Sequence, residues 1–271
     1  MSDNIDQAKQ TDSNTANAKI DLSEFDINMG DNPNMRTHIA VIGVGATGSS
    51  FMMLLAHYLK NYSRNHVYLY DFDNIEAHNY NVSLYTFTRP LGVSMPSNKV
   101  RGAYRILMKL TEYNEMTNKR DRNYNDITLS NQKIDERYLS EVHKDNPIDY
   151  IFVFTDNNES RHEIAKYHMK NPKSIVFDCR VGSYDQYEVY FSNNPSKYMQ
   201  TIYFKKDGKT PRSIDNNTNV CLEDRMNFSV AMMSASMIMN LFIKFLRGNM
   251  TNDFKHIMIG NDYLGEVKGY E

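Results

Sequence analysis

The chain of 271 residues contains only two cysteines, Cys179 and Cys221. Two thiols are too few for a disulfide framework, and they are also too few for a zinc site built from four thiolates. We therefore expect a reduced, cytoplasmic protein. An excess of one charge is missing as well, because 31 lysines and arginines stand against 33 aspartates and glutamates. A protein that binds nucleic acid irrespective of sequence needs a strong basic excess, so we predict no nucleic-acid partner.

The sequence pattern also lacks a secretory signal and a convincing transmembrane helix. The N-terminus has no basic start followed by an apolar core, and it stays polar as far as Asn34. The longest apolar run, Met226 to Leu246, is interrupted by Asn227, Ser229, Ser234, Ser236, Asn240 and Lys244. A helix facing lipid would have to bury those groups without hydrogen-bond partners. We predict a buried or interface helix and no membrane partner.

The polar N-terminal region and the rest of the chain differ in composition. Residues 1–35 are rich in asparagine, aspartate and serine and show no sustained apolar period. Such a segment buries too little apolar surface to offset the entropy lost on ordering, so we predict a disordered tail. The remaining residues, 36–271, are predicted to form a single domain.

Short apolar runs alternate with segments of helical spacing over the middle of the chain. They predict strands at 39–42, 67–70, 126–129, 150–154 and 174–178, and helices at 47–62, 99–110, 135–143 and 159–168. This alternation is typical of a parallel sheet with helices on both faces. Later strands, at 187–191, 201–204, 255–259 and in the tail, extend the sheet in antiparallel fashion. We predict an α/β fold, Rossmann-like and doubly wound, with a mostly parallel sheet.

A glycine-rich turn directly follows the first predicted strand. Gly43, Gly45 and Gly48 are spaced as GxGxxG at the start of a helix. Such glycines allow a tight turn and a close approach of phosphate to the helix N-terminus. Asp71 ends the next strand, 28 residues after the first glycine, where its carboxylate can accept both hydroxyls of a ribose. The pattern favours a nucleotide site over a merely structural turn.

The identity of the nucleotide depends on other residues. A nicotinamide-dependent oxidoreductase usually has its acid about 20 residues after the glycines and often uses a histidine as acid or base. None of the eight histidines has a recognisable catalytic context. His162 and His168 lie on a predicted helix, where a solvated polar face is the expected location. The oxidoreductase remains a minor alternative.

Three further motifs are more specific than the glycine turn. They are the run Asp71-Phe72-Asp73-Asn74-Ile75-Glu76-Ala77-His78-Asn79, the group Thr155-Asp156-Asn157 with Arg161, and Lys99 at a helix start. In this combination the chain resembles the ubiquitin-activating, ThiF/MoeB-type adenylyltransferases. It matches their GxGxxG, their DxDxVexxN run with Ile75 in place of valine, their lysine and their TDNxxxR. The resemblance runs from about Ile39 to Leu246.

The resemblance implies adenylation of a carboxylate by ATP with Mg²⁺. It implies that Asp71 holds the ribose, that Asp73 belongs to the same nucleotide-binding run, and that Asn79 helps to seat the phosphates. Lys99 would neutralise charge on the α- and β-phosphates, and Asp156 would hold the magnesium ion. The simpler alternatives are a solvated helix residue for Lys99 and a helix N-cap for Asp156.

The resemblance also concerns Cys221, the substrate and the assembly. Cys221 precedes the methionine-rich helix much as a cysteine does in some family members, and in those members the cysteine forms a covalent intermediate. The resemblance therefore implies a covalent role for Cys221, and an unreactive thiol is the alternative. The implied substrate is the C-terminal carboxylate of a small carrier protein or peptide. A homodimer or heterodimer is also implied, and it would cover the methionine-rich helix, which is apolar on more than one face: Met232, Met233, Met237 and Met239.

Several family features are missing from the sequence. Val82 stands where the family's NxxR run has arginine, and the arginine-rich N-terminal segment is not recognisable. Arg36, Arg64 or Arg89 are the candidates to replace these cations. The family's two CxxC pairs are absent, so no zinc is expected. These departures favour a divergent branch, and Val82 supports the alternative of a catalytically weak or scaffolding subunit within a heterodimer.

Overall fold

A computed structural model describes residues 36–62, 64–77, 79–85, 98–111, 125–181, 187–202, 227–250, 252–259 and 268–270. The strands are β1 (Thr37–Ile42), β2 (Asn65–Tyr70), β3 (Asp126–Ser130), β4 (Tyr150–Val153), β5 (Ile175–Val181), β6 (Tyr187–Ser192), β7 (Phe254–Ile259) and β8 (Lys268–Tyr270). The helices are α1 (Ala46–Asn61), α2 (Asn79–Val82), α3 (Lys99–Thr111), α4 (Glu136–Val142), α5 (Asn158–Lys170), α6 (Pro195–Gln200) and α7 (Asn227–Leu246). The predicted tail at 1–35 lies outside the described residues.

The strands of these segments form one sheet in the order β3-β2-β1-β4-β5-β6-β7-β8. The first five run parallel, whereas β6, β7 and β8 each pair antiparallel with the strand before them. The chain therefore winds from β1 outward to β3 and then returns to add β4 and β5 on the other side. This architecture confirms the predicted Rossmann-like fold. The strand order reverses between β1 and β4, the point at which doubly wound sheets bind ligands.

Side chains of the parallel strands alternate between two hydrophobic layers. In β4, Phe152 packs into the layer formed by α1, α3 and α7. Ile151 and Val153 on either side of it pack into the layer formed by α4, α5 and α6. Continuous apolar runs in the sequence are explained by this burial on both faces.

Helix α7 is long and apolar enough to span a membrane by composition, and it is the one such helix among the described residues. In the fold it packs against α1 and against β5 and β6. Its exposed stripe is mainly polar, with Ser236, Asn240 and Lys244 at helical spacing. Met237 and Met239 pack against the core, and Met233 remains exposed. The helix therefore exposes less apolar surface for a partner subunit to bury than its composition indicates.

Two local predictions are wrong. Thr201 and Ile202, predicted as the start of a strand, form a turn after α6, and β6 pairs with β7 instead. The sequence did contain a signal for α6, namely Asn194 followed by Pro195, which are typical of a helix N-cap and first turn. In the structure the Asn194 side chain accepts a hydrogen bond from the Lys197 amide. His168, predicted to be solvated, is fully buried against α6, and burial lowers its pKa to about 4.

Candidate functional site

The carboxyl ends of three neighbouring parallel strands bring the predicted residues together. Strand β1 lies between β2 and β4. Gly43 follows β1, Asp71 follows β2 and Asp156 follows β4 after two residues. The sheet therefore places the glycine turn between the two acids, at the edge where the strand order reverses.

The glycine turn requires glycine at two of its three predicted positions. Gly43 has a φ of +85°, and a Cβ atom there would lie 2.8 Å from the carbonyl carbon and oxygen of Phe154. A Cβ atom on Gly48 would lie 2.2 Å from the Gly43 carbonyl oxygen. The first glycine thus allows the turn, and the last lets α1 start directly against it.

Gly45 differs from the other two glycines because its side-chain position is open. Within the described part of the chain, no atom beyond Gly45, its two chain neighbours and the backbone of its own helix lies within 4 Å of the point where its Cβ would be. Gly45 is also the N-cap of α1, and among the described residues that helix start has no side-chain cap. The first turn contains no acidic residue. Open space in front of an uncapped helix N-terminus suits a phosphate group.

Asp71 fastens the glycine turn to the end of β2. Its Oδ2 accepts a hydrogen bond from the Val44 amide at 2.7 Å, and its Oδ1 accepts one from the Asp73 amide at 2.9 Å. Burial raises the pKa of this carboxyl group, and the charge of Lys99 opposes that rise. Each carboxylate oxygen can accept a second hydrogen bond, so the group still has capacity for ribose hydroxyls. The contact with Val44 was not visible in the sequence.

Lys99 lies with its side chain among the acids of the site and is not a solvated residue on the helix surface. It begins α3, whose start is capped by the Asn98 side chain at 3.0 Å from the Arg101 amide. Its Nζ lies 2.8 Å from Asp73 Oδ2, and 14% of its side chain is exposed. Burial by itself would lower the pKa of Lys99, but Asp71, Asp73 and Asp156 raise it above its ordinary value. The ammonium group therefore stays charged between the acids of the site.

Asp156 is an exposed acid beside this group and is not the cap of α5. The N-cap is Asn157, whose Oδ1 accepts a hydrogen bond from the Ser160 amide at 2.8 Å. The Asn157 amide group in turn lies 3.1 Å from Asp156 Oδ1. The alternative of a helix-capping role for Asp156 is therefore wrong, and its charge is available to a ligand.

Asn79 and Val82 belong to the short helix α2. The Asn79 side chain accepts a hydrogen bond from the Glu76 amide at 2.8 Å, which closes the turn that follows Asp73. Val82 is buried, with 2% of its surface exposed. The residue predicted to stand in place of the family arginine is thus an apolar residue that packs inside the chain.

A buried ion-pair network lies behind Asp156, and of its residues only Arg161 was identified from the sequence. Asp178 on β5 accepts hydrogen bonds from Arg161 at 3.2 Å and from Arg180 at 2.9 Å. Burial would raise the pKa of Asp178, but the two guanidinium groups hold it below its ordinary value. Arg161 also donates to the Thr155 carbonyl, and Arg180 donates to the Thr201 carbonyl. The network therefore fixes the residue that precedes Asp156.

The other candidate cations and thiols stand apart from the site. Arg36 and Arg64 precede β1 and β2, so in their own chain they lie at the opposite end of the sheet, and Arg36 pairs with Asp126. Cys179 is buried in β5, and burial raises the pKa of its thiol to about 12, which makes it unreactive. Arg89 and Cys221 lie outside the described residues.

A magnesium ion fits the residues of the site. Among the residues that the structure describes, no three His, Cys, Asp or Glu side chains are grouped to hold a metal by themselves. Mg²⁺ is commonly held by one or two carboxylates together with substrate phosphates. An exposed Asp156 near the open glycine turn meets that requirement.

Comparisons with known proteins show the family and the fold of the chain. The model of the ThiF family matches residues 20–267. The fold is similar to E. coli MccB with ATP, at 16% identity and a TM-score of 0.54 over 87% of this chain and 63% of that one. It is also similar to PaaA, at 15% identity and a TM-score of 0.55 over 86% and 62%. No curated protein matches the chain in sequence.

A third similar structure is that of E. coli TcdA, a tRNA N6-threonylcarbamoyladenosine dehydratase, in complex with AMP. It has 12% identity and a TM-score of 0.51, over 79% of this chain and 87% of that one. The chain thus spans less than two thirds of the length of MccB and PaaA and most of the length of TcdA.

Proposed function

Because the chain belongs to the ThiF family, we propose that it is an adenylyltransferase that uses ATP to activate a carboxylate. The observation that carries the proposal is the arrangement of Asp71, Lys99 and Asp156 around an open glycine turn. In the proposed complex Asp71 meets the ribose, the partly buried Lys99 ammonium meets the phosphates and the exposed Asp156 holds a cation.

The proposed reaction brings two anions together. An oxygen of the substrate carboxylate forms a bond with the α-phosphorus, and the bond from that phosphorus to pyrophosphate breaks. Lys99, kept charged by the surrounding acids, offsets charge on the phosphates, and the N-terminus of α1 adds its partial positive charge. Mg²⁺ at Asp156 supplies further charge neutralisation when bound. Asp71 holds the ribose so that the α-phosphate faces the carboxylate.

The proposed substrate is the C-terminal carboxylate of a small carrier protein or peptide. MccB, one of the similar structures, was determined together with MccA and AMPCPP. TcdA is named for a tRNA nucleoside, but the formal net charge of −2 gives this chain little attraction for nucleic acid. A protein or peptide substrate is therefore preferred.

The main alternative is a nucleotide-binding or scaffolding subunit with weak catalysis. Its support is Val82, a buried apolar residue where the family has an arginine. A nicotinamide-dependent oxidoreductase is the minor alternative, because the same fold binds both kinds of nucleotide.

We expect MgATP, and not NAD, to stabilise the protein against heat. A ligand that binds only the folded state at 100 times its Kd stabilises that state by about 2.7 kcal/mol, or roughly 5–10 °C in Tm for a chain of this size. Thermal melts with each nucleotide measure this difference. Stronger stabilisation by NAD would overturn the adenylation proposal. Exchange of labelled pyrophosphate into ATP, with candidate C-terminal peptides, separates an active enzyme from a scaffold.

We further propose that the working form is a homodimer or a heterodimer. Arg36 and Arg64 lie at the far end of the sheet in their own chain, so the outer phosphates would be met either by Arg89, which lies outside the described residues, or by a cation of a partner subunit. Light scattering is expected to give twice the monomer mass of 31.6 kDa at tens of micromolar protein. A monomer both alone and with its substrate would contradict the homodimer, and the absence of a complex with any partner subunit would contradict the heterodimer.

A further inference from the structure

Tyr85 connects the two elements that meet the phosphates. Its side chain is fully buried, and its hydroxyl group donates a hydrogen bond to the Val44 carbonyl in the glycine turn. The same hydroxyl lies 3.3 Å from the carbonyl oxygen of Lys99, the first residue of α3. Burial, together with the charges of Asp71 and Asp73, raises the pKa of Tyr85, so the hydroxyl remains a donor.

Gly102 provides the space for the Tyr85 ring. A Cβ atom at Gly102 would lie 2.7 Å and 2.8 Å from two carbons of that ring. Gly102 is an interior residue of α3, where glycine destabilises a helix and where the backbone does not require it. The close approach of the ring, together with that of Ile75 Cδ1 at 2.9 Å, is therefore the physical reason for glycine at this position.

The contacts of Tyr85 complete the fixation of both elements. The Val44 peptide is held on its amide side by Asp71 and on its carbonyl side by Tyr85. Lys99 is held at its ammonium group by Asp73, and its carbonyl oxygen shares the one hydroxyl proton of Tyr85 as the longer arm of a three-centre bond. One hydroxyl thus links the glycine turn to the start of α3.

On the basis of the proposed adenylation, we propose that Tyr85 is a positioning residue that keeps the Lys99 ammonium and the glycine turn at the spacing of bound phosphates. It acts through the Val44 and Lys99 backbone and does not contact the reacting atoms. Preorganisation of this kind affects both nucleotide affinity and rate, because a loosened site has to be ordered each time the nucleotide binds.

The test replaces Tyr85 with phenylalanine, which keeps the ring and removes the hydroxyl. Tyr167→Phe is the matched control, since its buried hydroxyl accepts a hydrogen bond from the Ile148 amide at 3.2 Å in the other hydrophobic layer. Both variants are expected to lose some stability. Only Tyr85→Phe is expected to raise the Kd for MgATP and lower pyrophosphate exchange, by about tenfold in kcat/KM.

Hydrogen–deuterium exchange without nucleotide gives a readout that does not depend on activity. Amides of residues 43–49 and 98–102 are expected to exchange faster in Tyr85→Phe than in the wild type or in Tyr167→Phe. If these amides loosen but the wild type neither binds nor turns over ATP, the adenylation proposal fails and the positioning by Tyr85 stands. If the two phenylalanine variants are alike in amide exchange and in nucleotide affinity, the role of Tyr85 is overturned.

A second pair of variants separates packing from positioning. Gly102→Ala is expected to lower Tm because the new methyl group overlaps the Tyr85 ring. Adding Tyr85→Leu removes the ring but leaves Ile75 Cδ1 at 2.9 Å from the Cβ position, so it should recover part of the Tm. The Kd for MgATP stays raised because leucine has no hydroxyl. Recovery of both Tm and affinity in the double variant would show that Tyr85 serves packing alone.

Discussion

Asp156→Asn is expected to slow pyrophosphate exchange about a hundredfold and to leave the fold unchanged. Loss of one preorganised electrostatic contact in a transition state typically costs about 3 kcal/mol, which corresponds to that factor in rate. The side chain is exposed, and the N-cap of α5 is Asn157, so the substitution removes charge without removing a cap. An asparagine oxygen can still accept the 3.1 Å hydrogen bond from the Asn157 amide group.

Glu159→Gln provides the control for this substitution. It removes the same charge three residues further on, at an exposed side chain whose ion pair with Lys133 is 3.8 Å long. Exchange rate, MgATP affinity and Tm are measured for the wild type and for both variants. Equal exchange by the wild type and Asp156→Asn would remove Asp156 from the site. A wild type that binds MgATP but shows no exchange with any peptide would favour the scaffolding alternative.

Asp178→Asn is expected to lower the free energy of unfolding by about 3–5 kcal/mol. Breaking a buried ion pair leaves a charge without compensation in a medium that solvates it poorly. Here the substitution leaves two buried guanidinium groups, Arg161 and Arg180, facing a neutral amide. In a chain of this size the loss corresponds to a decrease in Tm of roughly 6–20 °C. Urea unfolding and thermal melts measure it.

An exposed ion pair of this protein supplies the comparison. Asp126 pairs with Arg36, and about half of each side chain is exposed, at 47% and 49%. Solvent and salt screen such pairs, so Asp126→Asn is expected to cost less than about 1 kcal/mol. Similar losses from the two aspartate variants would contradict the role given to burial. Asp178→Asn should also weaken MgATP binding, because Arg161 holds the Thr155 carbonyl next to Asp156.

The depressed pKa of Asp178 also fixes the direction of its pH dependence. A carboxyl group whose pKa is lower in the folded state stabilises the protein above its unfolded pKa, and that contribution is lost as the pH falls through the folded pKa. The free energy of unfolding of the wild type should therefore exceed that of Asp178→Asn by its full amount at neutral pH. This difference should decrease only in acid, below the ordinary pKa of an aspartate.

Local patterns accounted for most of the secondary structure and for the place of the glycine turn. Continuous apolar runs identified the strands of the parallel sheet, since each is buried on both faces. The predicted strand at 201–204 is wrong at Thr201 and Ile202, because a short aromatic run does not distinguish a strand from the end of a helix, and Asn194 and Pro195 were the better signal. Residues 203 and 204 lie outside the described part of the chain. The prediction that His168 is solvated was wrong for a related reason, because the periodicity of a helix does not show which neighbouring element covers a polar residue.

The sequence by itself determined the order of strands and helices, the glycine turn and the strand-end positions of Asp71 and Asp156, because hydrophobic period and glycine spacing act over a few residues. The tertiary structure alone decided that Asp71 binds the Val44 amide, that Tyr85 lies on Gly102 and that Asp178 sits between two arginines. Each of those contacts joins segments on different elements of the fold. Their geometry depends on which strands become neighbours and on how side chains fill the space between packed layers, and no local pattern records either.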